Sequence, residues 1–113
     1  MDAFTALAEP TRRNIMEMLV ANGNLSATDI CRGFKSSPPA ISQHLKVLRE
    51  ANLVRVERRA QQRIYFINPE PLKELEKWIH RFTAQVEEQF SALDKLLEIE
   101  KQKLLETKQK EKK

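Results

Sequence analysis

The stretch from Lys35 to Leu53, K-S-S-P-P-A-I-S-Q-H-L-K-V-L-R-E-A-N-L, limits what this chain can become more than any other. Ser37 can cap an unpaired first-turn amide, and Pro38 follows where a missing N–H costs nothing. Ile41, Leu45 and Leu48 stand at i, i+4 and i+7, so the stretch reads as a helix with one apolar stripe. Pro39, Ser42, Gln43 and Lys46 fall on the other side. These are small, amide or amine groups, not the Glu/Lys mix of an ordinary solvated face. An amide can pair bidentately with adenine, and an amine can reach guanine or phosphate, so this face suits a DNA major groove. A plain amphipathic surface helix fits the stretch equally well.

Charge placement separates these readings. Net charge is +4, and all of it lies in residues 1–68. Between 32 and 63 stand Arg32, Lys35, Lys46, Arg49, Arg55, Arg58, Arg59 and Arg63 against only Glu50 and Glu57. A basic excess around the central helix is the footprint of a polyanion partner. The length, 113 residues, suits one domain. The N-terminus lacks the basic n-region of a secretory signal, and no apolar run approaches a membrane span. Cys31 is the only cysteine, which excludes an intramolecular disulfide and fits a reducing cytoplasm.

In chain order, Ala3–Leu7 reads as a short helix carrying Phe4 and Leu7. Pro10 opens a second helix with Ile15, Met18 and Leu19, and Gly23 ends it as a left-handed cap. Ser26-Ala27-Thr28-Asp29 is a capping box that starts a third helix running through Phe34. The short turn at Lys35–Ser37 gives helix-turn-helix spacing into the central helix. Val54 and Val56 then alternate with Arg55 and Glu57, and Ile64 and Phe66 with Arg63 and Tyr65, which predicts a β-hairpin. Its tip, Arg58–Gln62, has no Gly, Asn or Asp, so the expected turn is long and loose. From about residue 70 a last helix carries Leu72, Leu75, Ile79, Phe82, Val86, Phe90, Leu93, Leu97 and Leu104 at steps of three, four and seven. Such a seam calls for a partner helix, most simply that of a second copy.

The fold class is therefore mainly α with a small β-hairpin: a winged helix-turn-helix with N- and C-terminal dimerisation helices. The domain is expected over residues 1–105, and the polar tail 106–113 is expected to fray.

The chain resembles the ArsR/SmtB-type winged-helix transcriptional repressors, within them the metal-independent subgroup of SdpR-like autorepressors. The residues that carry the resemblance are F-T-A-L-A-E-P-T-R-R-N-I at 4–15, S-A-T-D-I at 26–30, S-P-P-A-I-S-Q-H-L-K-V-L-R-E-A-N-L-V at 37–54 and R-R-A-Q-Q-R-I-Y-F-I at 58–67, with the helix of Trp78, Phe82 and Phe90. The resemblance implies a homodimer that binds operator DNA, an imperfect inverted repeat, and blocks transcription. It implies Pro38–Glu50 as recognition helix, with Ser36, Ser37, Pro39, Ser42, Gln43 and His44 facing bases and phosphates. It implies Arg58, Arg59 and Arg63 on the wing, where Ala60 replaces the usual glycine; Asn52 replaces another glycine after the recognition helix. Lys46 is added as a phosphate partner that could equally be a solvated charge. His44 could instead be a boundary residue bonded to backbone. Arg12 and Arg13 could pair with acidic neighbours and are left out of the site. The expected dimer contacts are Phe4, Leu7, Trp78, Ile79, Phe82, Val86, Phe90, Leu93 and Leu97.

Metal sensing, which the family also contains, finds no ligands here. A thiolate site needs paired cysteines, and D-I-C-R-G-F has Cys31 alone. The last helix has one histidine, His80, and Ser91 stands eleven positions on. No metal and no cofactor is expected, and no inducer can be named. No nucleophile–base pair or phosphate loop suggests an enzyme. Two other functions stay open: a winged-helix interaction module without DNA binding, and a ligand-gated sensor of the same fold.

Overall fold

The computed structural model describes residues 1–111. Residues 1–76 form one compact unit, and the chain from Lys77 forms a second. The elements are α1 (Ala3–Leu7), α2 (Pro10–Asn22), β1 (Asn24–Ser26), α3 (Ala27–Arg32), α4 (Pro38–Glu50), β2 (Val54–Arg59), β3 (Gln62–Ile67) and α5 (Pro69–Glu111). This is the expected helix order with the expected hairpin.

Local chemistry sets most boundaries. Asp2, Glu9, Ser26 and Ser37 each accept a backbone N–H with their side chain at a helix start. Gly23 closes α2 at φ 81°, as its sequence context requires. At the end of α4 the Leu53 N–H reaches the Leu48 carbonyl and the Asn52 N–H reaches that of Arg49, both at 3.0 Å. That is a Schellman motif, and Asn52 supplies its left-handed residue at φ 60°.

The core of the first unit gathers Ile15 and Leu19 of α2, Ile30 of α3, Ile41, Leu45 and Leu48 of α4, and Leu53, Val54 and Tyr65 around the sheet. The predicted α4 stripe is thus the floor of the core. Each such aliphatic side chain contributes roughly 1.5–3 kcal/mol by burial.

The sheet departs from the sequence reading in three ways. First, it has three strands in the order β1-β3-β2, all antiparallel. Asn24–Ser26 is too short to show a strand period; it becomes one because β3 offers it an unpaired edge. Second, the tip is tight: Arg59 pairs directly with Gln62, leaving Ala60 and Gln61 as the turn. Ala60 takes φ 54° there, a conformation that costs an alanine about 1 kcal/mol. Third, Val54 and Val56 pair with Ile67 and Tyr65, not with Phe66 and Ile64. Tyr65 and Ile67 therefore share the face of the main core cluster, while Ile64, itself buried, and Phe66 lie on the other. The last two departures have one cause. Shifting hairpin register by one residue exchanges the faces of a strand.

Helix α3 ends at Arg32, with Gly33 as its C-cap, short of the expected Phe34. Helix α5 runs beyond Leu105 through Glu111, so the segment expected to fray is helical there. Lys, Gln, Glu and Leu favour helix, and no Gly or Pro interrupts them. Residues 112–113 lie outside the described residues.

Candidate nucleic-acid interface

Burying Ile41, Leu45 and Leu48 leaves the opposite face of α4 no choice but solvent. Pro39, Ser42, Gln43, Lys46 and Arg49 are all exposed along it, and Ser36 and Ser37 are exposed just ahead of it. The Ser37 hydroxyl accepts the Ala40 N–H at 3.3 Å, so this serine holds the helix start.

Between α4 and β3 lies a cleft of about 430 Å³. Ser42, Gln43, Lys46 and Arg49 line one wall, Arg63 stands on the other, and buried Tyr65 contributes to the lining. Three cations and no carboxylate line it. Arg63 also stands directly across the hairpin from Arg58. Like charges in that position repel, and an anion between them relieves the repulsion. Among the described residues, Lys46, Arg49, Arg58 and Arg63 have no ion pair.

Arg59 is placed differently. Its guanidinium meets Glu57 at 3.2 Å and lies 5.5 Å from the centre of the Phe66 ring, on the sheet face away from Tyr65. The three wing arginines therefore divide: Arg58 and Arg63 share the face that includes the α4 cleft, and Arg59 lies behind it. Sequence reasoning misses Arg49 as a site residue. Its signal is present, since it follows Ser42 by seven and Lys46 by three on the same helical face.

His44 is half-buried and turned toward the N-terminal helices. Its Nδ1 lies 3.2 Å from an Arg12 amine and 3.8 Å from the Glu9 carboxylate. Arg12 Nε donates to the Ala6 carbonyl at 2.6 Å, and Arg13 donates to the carbonyls of Leu7 and Ala8. These arginines fasten the end of α1; acidic neighbours are not their chief partners. Desolvation pushes the Glu9 carboxyl up. The Arg12 backbone N–H, nearby His44, the Thr11 side chain and the Arg12 charge together outweigh it, and the pKa is lowered. The string E-P-T-R-R thus ties α1, α2 and the side of α4 together.

The apolar residues expected at a dimer contact lie on α1 and α5. Phe4, Trp78, Ile79, Phe82, Phe90, Leu93 and Leu97 are exposed in the single chain, while Leu7 and Val86 are half-buried. Leu7 lines an apolar hollow of about 260 Å³ with Met16, Glu17, Val20, Ile67 and Leu72. In the second unit Trp78 and Phe82 stack with ring centres 5.1 Å apart.

Residues 9–56 match the family described as bacterial regulatory protein, arsR family. The transcriptional repressor SdpR of Bacillus subtilis is 35% identical over 81 residues, covering 72% of this chain and 89% of that protein. The chain belongs to the ArsR family. The HTH-type transcriptional regulator Rv2034 of Mycobacterium tuberculosis is 42% identical over 80 residues, covering 71% and 74%. Among solved structures, an ArsR family transcriptional regulator, RHA00566, superposes with a TM-score of 0.68 at 26% identity, covering 74% of this chain and 86% of that one. As a family member the chain is a DNA-binding transcriptional regulator of the winged helix-turn-helix class, a class of regulators and not of enzymes. Among the described residues, no three His, Cys, Asp or Glu side chains gather as a metal site, and no helix is long and apolar enough to cross a membrane.

Proposed function

We propose that the chain is a dimeric repressor acting in the cytoplasm on an operator near its own or a neighbouring gene. One domain carries the DNA contact, and the long helix from about residue 70 carries the dimer contact. The observation that supports the DNA contact best is the cleft, where the amide-and-hydroxyl face of Ser42 and Gln43 on α4 stands beside Lys46, Arg49 and Arg63. An amide reads bases, and cations meet phosphates. A module that bound only proteins through α5 would need neither.

In this reading α4 enters the major groove, Gln43 contacts a base edge, and Ser36, Ser37, Pro39, Ser42 and Lys46 approach bases and backbone. Arg58 and Arg63 extend the contact along the backbone, while Arg59 contributes least because Glu57 already holds it. His44 braces the helix from Arg12 and Glu9. Two α4 helices about 34 Å apart, one turn of DNA, demand an imperfect inverted repeat. Of the expected dimer contacts, Phe4 and Leu7 of α1, with Trp78, Ile79, Phe82 and Val86 of α5, supply the apolar surface between these subunits, and Phe90, Leu93 and Leu97 continue the α5 seam beyond it. The same surface left in water would be a large exposed patch.

Footprinting on the DNA flanking the chain's own gene tests this reading: protection of two half-sites one turn apart is the expected result. Protection of a single half-site, or none, rejects it. Ile79→Glu with Phe82→Glu should separate the subunits in sedimentation and abolish the two-site footprint.

A further inference from the structure

Beyond Val86, α5 carries a pattern that DNA binding does not use. Phe90, Leu93, Leu97 and Leu104 follow at steps of three, four and seven, and are 61%, 49%, 52% and 62% exposed. Beside this seam, on one flank, stand Glu87, Asp94, Lys101 and Lys108, each seven residues from the next. Seven residues return a helix to nearly the same angle, so the four form one edge: acid, acid, base, base. The wider segment repeats the asymmetry. Residues 87–100 hold Glu87, Glu88, Asp94, Glu98 and Glu100 against Lys95; residues 101–113 hold six lysines against Glu106 and Glu111.

We propose that this segment pairs antiparallel with the same segment of a second copy, centred between Leu97 and Glu100. A two-fold axis across two helices sets each edge against itself with its order reversed. Glu87 then faces the partner's Lys108, and Asp94 faces the partner's Lys101. In the seam Leu93 packs on the partner's Leu104, and Phe90 on the partner's Thr107. The Thr107 hydroxyl donates to the Lys103 carbonyl at 3.0 Å, which satisfies it within its own helix. Glu100 is the one charged group in the seam, a device that fixes register at some cost in stability. A parallel pair would instead set the charged edge against Gln89, Leu96 and Lys103, which offer no opposite charge.

A two-fold pairing has one centre. A pair centred at 97–100 is distinct from one centred on Trp78 and Phe82, so the two contacts engage different copies and together join dimers into assemblies of four or more chains. This contact goes beyond the dimer proposed above and does not depend on it.

Sedimentation velocity of the full chain at tens of micromolar tests the inference with three variants. Lys101→Glu with Lys108→Glu makes the edge all acidic, and Glu87→Lys with Asp94→Lys makes it all basic. Each should lose one association step, from four or more chains to two. An equimolar mixture of the two, or the fourfold swap in one chain, should regain it. A fall from two chains to one, again reversed by the swap, upholds this pairing and rejects the dimer contact through Phe4, Trp78 and Phe82. Wild-type sedimentation of the all-acidic variant overturns the inference, and so does a loss that the swap fails to restore. A wild-type chain that sediments as a monomer overturns it too.

Discussion

Helix α4 and the β2–β3 hairpin both bear on the proposed DNA contact, yet their faces are decided in different ways. The α4 face follows from its own residues: Ile41, Leu45 and Leu48 are buried, and Ser42, Gln43 and Lys46 must point outward. The hairpin face follows from a count. With Arg59 paired to Gln62, Arg63 shares the face of Tyr65; one residue more in the turn would have turned Arg63 away. A helix face is over-determined by repeated spacing, whereas a strand face hangs on a single register.

The largest expected effect tests the helix side. Leu48 is fully buried under α4, so Leu48→Ala should destabilise the first unit by about 2–5 kcal/mol in denaturant melts. A loss below about 1 kcal/mol would mean that the stripe is not what orients the helix. Next, Gln43→Ala should weaken operator binding by about 1–3 kcal/mol per half-site while sparing random DNA. Equal losses on both DNAs would show that the outward face of α4 does not read bases.

Two further substitutions probe the hairpin. Arg63→Ala should weaken operator and random DNA alike and flatten the slope of log affinity against log salt by about one unit per subunit. Arg59→Ala should change that slope by much less, because its guanidinium is held by Glu57 behind the cleft. The reverse order would exchange the two hairpin faces. The smallest effect concerns the turn itself. Ala60→Gly removes a left-handed alanine and should stabilise the unit by about 0.5–1 kcal/mol in thermal melts. No gain would indicate a longer tip in solution, and with it the other register.

The outcome at particular residues follows the range of the forces involved. Ser37, Pro38, Gly23 and Asn52 act on backbone groups a few residues away, so their roles are legible in order along the chain. Arg49 is legible too, but its value as a site residue emerges only when β3 brings Arg63 opposite it. His44 is ambiguous between phosphate and protein in the sequence because its neighbours, Glu9 and Arg12, are remote along the chain.

By itself the sequence determined the helices, their order and the outward face of α4, because helix periodicity and capping are local. Only the tertiary structure decided that Asn24–Ser26 is a strand, that the hairpin turns on two residues, and which arginines stand beside α4. A strand edge exists only when another strand is there to pair with it. A turn that strains one alanine survives when the register it imposes buries Tyr65 and Ile67 against the core, an energy that no single segment carries.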